Sequence, residues 1–137
     1  MSKSASSRGA TIERTTDARQ IGQRLVELCR QGRNLDAVAE LYDDDVVSVE
    51  AMAAPDMPAT MKGIAAIRAK HDWWEKNHDV HGGEAKGPFV NGERFTVLFH
   101  HDVTPKTGAQ KGKRTSMDEI AVYTVRDGRI VHEAFFA

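Results

Sequence analysis

Two dipeptides, Asn91-Gly92 and Asp127-Gly128, each sit between runs of alternating apolar and polar residues, and they constrain the fold more than any other feature of the chain. Asn-Gly and Asp-Gly suit two-residue hairpin turns, whose central positions both need positive φ. After the first turn Phe95, Val97, Phe99, His101 and Val103 alternate with Arg94, Thr96, Leu98, His100 and Asp102. Residues 80–86 read as the strand before it, with Gly82-Gly83 marking a bulge. Residues 116–126 and 129–137 flank the second turn, and 105–112 form a polar connection. A period of two over this length predicts four antiparallel strands.

The first half has a different period. Thr15, Thr16 and Asp17 are N-cap candidates for a helix starting near Thr16, with Ile21, Leu25 and Leu28 at helical spacing and Gly32 as its stop. Leu35, Val38 and Leu41 stripe a second helix over 34–42, and Asp43, Asp44 and Asp45 read as an acidic turn. Val46-Val47-Ser48-Val49-Glu50 reads as a strand, and 51–62, with Pro55, Pro58 and three Met residues, as a loop. Ile64, Ile67, His71 and Trp74 mark the inner face of a third helix that Asn77 ends. Helices segregated from hairpins define an α+β domain over 15–137, behind a Ser-rich mobile tail over 1–14. Three helices cover one face of such a sheet, and its twist curls it around the third, enclosing a pocket. The other face carries Ile120, Val122 and Ile130 among its candidates, so a homodimer through that outer face is expected.

Charge and composition narrow the function. With 19 basic and 20 acidic residues the formal net charge is -1, which argues against a nucleic-acid binder. The lone Cys29 offers no disulfide framework and reads as an inert buried thiol. No apolar run reaches the ~20 residues of a membrane span, and the opening MSKSASSRGAT lacks a secretory signal, so a cytoplasmic location is expected. No metal-ligand spacing such as HExxH and no cofactor motif is present, so neither metal nor cofactor is expected.

Three segments carry a resemblance. NLDAVAELYDDDVV (34–47) resembles the second-helix-to-first-strand signature of the nuclear transport factor 2-like superfamily. GIAAIR (63–68) resembles the start of its third helix, and EIAVYTVRDGRIV (119–131) its closing hairpin. Within that superfamily the chain is most similar to SnoaL-like proteins. The resemblance implies a cystatin-like, nuclear transport factor 2-like cone in which three N-terminal helices pack on a curved antiparallel sheet. Its functional implication is broad, because this scaffold hosts isomerases, cyclases, dehydratases, hydrolases and binding modules.

Glu50 is the most pointed candidate for chemistry. It ends a Val-rich strand beside an apolar loop, where desolvation would fit a carboxylate to act as general base. Its distance from Tyr42 and the acidic turn also resembles the placement of the catalytic Asp in ketosteroid isomerases. Val26 and Ala121, however, stand where that family places its oxyanion donors, so that machinery does not carry over. The alternative is a Glu50 that points outward or pairs with an Arg at the rim. His101 and Tyr123 are the accompanying donor candidates, with His81 from the strand before. The pocket lining is expected from Met52, Ile67, His71, Trp74, His81, Val97, Phe99, Glu119, Glu133 and Phe135. Individually these residues also have plain structural readings. Glu119 and Glu133 can pair across strands or with Arg94 or Arg114, His101 can end the sheet, and the Met residues can fill an irregular core as readily as form a lid. The functional expectation is a domain that binds a hydrophobic small molecule, as an isomerase- or cyclase-type enzyme using a carboxylate base. The alternative is a non-catalytic ligand-binding or dimerisation module.

Overall fold

A computed structural model describes residues 7–54 and 57–137, with side chains from Asp17 onward. The elements are α1 (Ser7–Arg30), α2 (Asn34–Leu41), β1 (Tyr42–Val49), β2 (Thr60–Lys62), α3 (Ile64–Asn77), β3 (His78–Asn91), β4 (Arg94–Pro105), β5 (Thr115–Arg126) and β6 (Arg129–Phe136). One six-stranded sheet has the order β2-β1-β6-β5-β4-β3. Both expected hairpins form: the second turns on Asp127-Gly128, both at positive φ, and the first on Gly92-Glu93, with Gly92 at positive φ and Asn91 paired to Arg94 in the ladder. The expected mobile tail over 1–14 lies outside the described residues, apart from the helical backbone of α1 from Ser7, upstream of the expected start at Thr16.

The sheet differs from the sequence reading in four places. β1 starts at Tyr42, so the acidic run lies inside the strand as an irregularity: Tyr42 faces Ile130 while Val47 already faces His132. β1 also pairs parallel to β6, which makes the sheet mixed rather than wholly antiparallel. The expected loop over 51–62 contributes β2, which pairs antiparallel with β1 through Ser48 and Met61. Ile130, expected on the outer face, is fully buried, because a register shift between Thr124 and Val125 turns it inward opposite Val125.

The helices cover the inner face alone. Leu25 and Leu28 of α1, Val38 of α2 and Ile67 of α3 meet Phe95, Val97, Tyr123, Val125 and Ile130 in one buried cluster. Gly22 sets how closely α1 approaches: a β-carbon there would lie 2.7 Å from Pro88 Cβ and 3.1 Å from the Phe95 ring. No helix among the described residues is long and apolar enough to cross a membrane.

Candidate functional site

Strand alternation grades the inner face from buried to half-buried. At the Asn91-Gly92 end Phe95, Val97, Ala121, Tyr123 and Val125 are buried. Two and four residues further along β4, Phe99 and His101 are half-buried, as are Glu119 on β5 and Phe135 on β6. α3 lies across this looser end and turns Lys70, His71 and Trp74 toward it, three, four and seven residues after the buried Ile67, one face of a helix.

Beside these half-buried residues, between α3, β1 and β6, is a buried carboxylate. Glu133 is 1% exposed, and the parallel β1–β6 register sets it directly beside Ser48. Ser48 Oγ donates to Glu133 Oε2 at 2.6 Å, and the Tyr42 hydroxyl donates to Oε1. Lys70 Nζ completes the cluster, donating to Ser48 Oγ at 2.6 Å, to Glu50 Oε2 at 2.8 Å and to Glu133 Oε2 at 3.3 Å. It also stands 4.6 Å from the centre of the Phe135 ring, a cation–π contact. One ammonium therefore serves two carboxyl groups, and all three of its N–H donors are engaged. Burial, then the charge of Glu133, pushes both Tyr42 and Tyr123 well above the usual phenol range, so both hydroxyls keep their protons. The same two causes push the Cys29 thiol up to about 12. Burial holds His71 below the usual imidazole range, which keeps it neutral at pH 7 despite the pull of Glu133.

A second pair lies further along β4 and β5. His101 Nε2 is 3.4 Å from Glu119 Oε1, a diagonal contact, since Glu119 is directly opposite Phe99. The Phe99 ring stacks beside the imidazole at 5.9 Å, and Trp74 lies tilted against it at 5.7 Å. Trp74 in turn stacks on His78 at 3.7 Å. The other imidazole nitrogen, Nδ1, faces β3 at Gly83, where a β-carbon would sit 4.0 Å away and none exists.

The candidates from the sequence separate accordingly. Glu50 is partly exposed and is held by Lys70, not by an Arg. His101 and Glu119 meet, while Ile67 and Val97 form the buried floor. His71, Trp74, Phe99 and Phe135 line the half-buried wall. Tyr123, expected as a donor, is buried in the filled end, stacked on Phe95 at 4.8 Å. Two expectations are corrected. Met52 is 81% exposed and lines nothing, because its loop turns outward through the Ala54–Met57 bridge. His81 is exposed and contacts Thr104 at 2.6 Å, because it is the extra residue of the bulge between Val80 and Gly82 and drops out of the alternation. Arg114 pairs with Asp102 instead of either pocket carboxylate.

Lys70, Ser48 and Tyr42 were not singled out by the sequence. Lys70 had a signal, three residues after Ile67 and four before Trp74 on the stripe already read as inward. Ser48 had one too, lying between Val46 and Glu50 in a period of two. Two hollows, of about 410 Å³ beside Pro88 and about 640 Å³ on the opposite sheet face, lie away from Glu133.

Comparison with known proteins places this arrangement among relatives. Residues 15–137 match the family model of the SnoaL-like domain. A structure from Mesorhizobium loti described as a SnoaL-like polyketide cyclase is 43% identical, with a TM-score of 0.79 over 86% of this chain and 97% of that one. A protein of unknown function from Burkholderia pseudomallei is 19% identical (TM-score 0.66, 88% and 89% covered), and a Bacillus subtilis protein described as an isomerase 20% identical (TM-score 0.59, 91% and 86% covered). At that identity the last two speak for the fold alone. No curated protein matches the chain.

Proposed function

The chain belongs to the SnoaL-like domain family, and we propose that it binds a small, largely apolar molecule in the mouth between α3 and the sheet and moves a proton on it with His101. The carrying observation is the His101–Glu119 contact. A carboxylate at Nε2 keeps the proton on that nitrogen and leaves Nδ1, on the side of Gly83, as the acceptor. Glu50 is the weaker choice of base, since its carboxylate is engaged by an ammonium. The substrate's apolar body would rest on Trp74, Phe99 and Phe135, and neutral His71 could donate to an oxygen that gains charge. In the step His101 Nδ1 takes a proton from the carbon between a carbonyl group and a carbon–carbon double bond, and the bonding pair is delocalised onto the carbonyl oxygen as a dienolate. Return of the proton to the far carbon of the former double bond completes an isomerisation that leaves the double bond conjugated. The relative described as a SnoaL-like polyketide cyclase, 43% identical, supports this class of chemistry.

The test is deuterium exchange at the acidic C–H positions of 2-tetralone in D₂O, followed by NMR. The wild type should exchange faster than buffer, His101→Gln should lose that excess, and Glu50→Gln should keep it. Full exchange by His101→Gln would overturn the assignment. A second reading rests on a specific observation, that Glu50, Glu119 and Glu133 all stand in fixed pairs, as befits a rigid binding module. That reading requires the ketone to quench tryptophan fluorescence saturably while no exchange occurs.

A further inference from the structure

Gly82-Gly83 leaves two side chains out of β3 just where that strand passes His101. The bulge falls one residue earlier, at His81, and from Gly82 to Lys86 the β3–β4 ladder is regular. Gly83 stands directly opposite His101, and residues paired across a ladder share a face, so the side chain it lacks would lie beside the imidazole. A β-carbon there would sit 4.0 Å from His101 Nδ1, and no atom of α1 or α3 lies nearer to that point. β3 is an edge strand, so beyond Gly83 the sheet ends.

The other directions from His101 are occupied. Along β4, Val103 is fully buried on one side, and Phe99 leads to the buried Val97 and Phe95 on the other. Toward β5 and β6 stand Glu119, Phe135 and the Lys70–Glu133 pair, and Trp74 of α3 lies over the ring. His101 nevertheless keeps 26% of its side chain in water.

The helices leave this stretch of edge bare. Ala85 is buried, and its carbonyl accepts from Arg30 Nε of α1 at 3.0 Å. α3 ends at Asn77, and His78 stacks back against Trp74. Between these two covered points Gly83 is exposed. Val80 lies opposite the buried Val103 and so belongs to the inner face, yet it is 57% exposed, an apolar group at the lip. The β4 partners of Val80 and Ala85 are four steps apart. That is about 13 Å of edge, against the ~4.8 Å that one extended chain occupies beside a strand.

We propose that Gly83 is a specificity-determining residue: ligands reach His101 across the edge of the sheet between Val80 and Ala85, and the class that fits is a carbonyl compound bearing an alkyl chain that runs out over Gly83 and covers Val80. The substrate class rests on the assignment of His101 as the base. A compact ring can pack beside Trp74 and Phe99, but whatever extends further has this one way out among the described residues. A side chain at position 83 would stand in that path.

Diethyl pyrocarbonate, which acylates neutral imidazoles, tests the route without reference to any activity, with fragment mass spectra separating His101 from His100. Measured relative to His132, labelling of His101 should slow at least tenfold in Gly83→Val. A branched side chain there also crowds the His100 carbonyl, 2.9 Å from the β-carbon. Val80→Trp, which grows from an exposed position, is therefore the second variant, and it should slow labelling at least threefold with an unchanged circular dichroism spectrum. A wild-type His101 that resists the reagent, or labelling at the wild-type rate in either variant, would overturn the route whatever the exchange test shows. Calorimetric titration with 6-hexyl-2-tetralone tests the class. The wild type should bind it about tenfold more tightly than 2-tetralone, from the methylene groups and Val80 taken out of water, and Val80→Trp should erase the difference. Equal or weaker binding of the chain-bearing ketone would overturn the substrate class and leave the role of His101 to the exchange test.

Discussion

Lys70→Met removes the ammonium from between Glu50 and Glu133 and keeps an unbranched side chain on the same face of α3. What remains is a buried carboxylate with two neutral donors, Tyr42 and Ser48. Removing one partner of a buried ion pair costs about 3–5 kcal/mol. Lys70 keeps 13% of its side chain in water, which puts the loss near the lower figure, about 3 kcal/mol. At about 4 °C per kcal/mol for a domain of this size, the melting temperature should fall by about 10 °C. Urea unfolding followed by tryptophan fluorescence measures the loss. Adding Glu133→Gln to Lys70→Met should recover a large part of it, since no unpaired charge is then buried. A loss below about 1 kcal/mol, or no recovery in the double variant, would refute the reasoning that Lys70 serves as the counter-ion of Glu133.

Two further perturbations follow from the same geometry. His71 is held below the usual imidazole range by burial, so the unfolded chain binds its proton first as pH falls. Its contribution is complete above pH ~6.5 and is lost below it; His71→Leu should flatten the stability profile between pH 7 and 5, and an unchanged profile would count against that burial effect. Gly22→Ala gains up to about 1 kcal/mol of helix propensity but sets a methyl 2.7 Å from the Pro88 ring. The crowding should win, with a net loss of about 1–2 kcal/mol in chemical denaturation, and a stabilised variant would show that α1 can shift away freely.

The hairpins were legible because turn chemistry and alternation are local. Gly92 and Asp127-Gly128 specify their own turns, and the inward set of β4 followed from parity once one member was placed. His100 and His101 split to opposite faces for the same reason, each toward a carboxylate of β5. The cluster around Glu133 was not legible, because it depends on which strand lies beside β1. Nothing in the neighbourhood of Ser48 announces that a strand 85 residues later will pair parallel to it. Lys70 was obscured by its own charge: a lysine is usually assigned to a solvated face, and only a buried carboxylate from a distant strand explains why it turns inward. Met52 and His81 failed where local backbone irregularity outweighed pattern, in a loop and at a bulge.

The position of β6 bears on how the molecule is made. Of the six strands in this sheet the last in chain order is an inner one, flanked by β1 on one side and β5 on the other. Until residues 129–136 emerge, β1 with β2 and the β3–β5 meander have no ladder joining them, and each exposes an edge. Synthesis therefore passes through a stage in which most of the chain exists as two open half-sheets, and Ser48, Tyr42 and Lys70 have no carboxylate from β6 to gather around. A nonsense mutation at Arg126 would remove β6 and leave a chain with two half-sheets whose edges are unpaired, a substrate for chaperones or proteases.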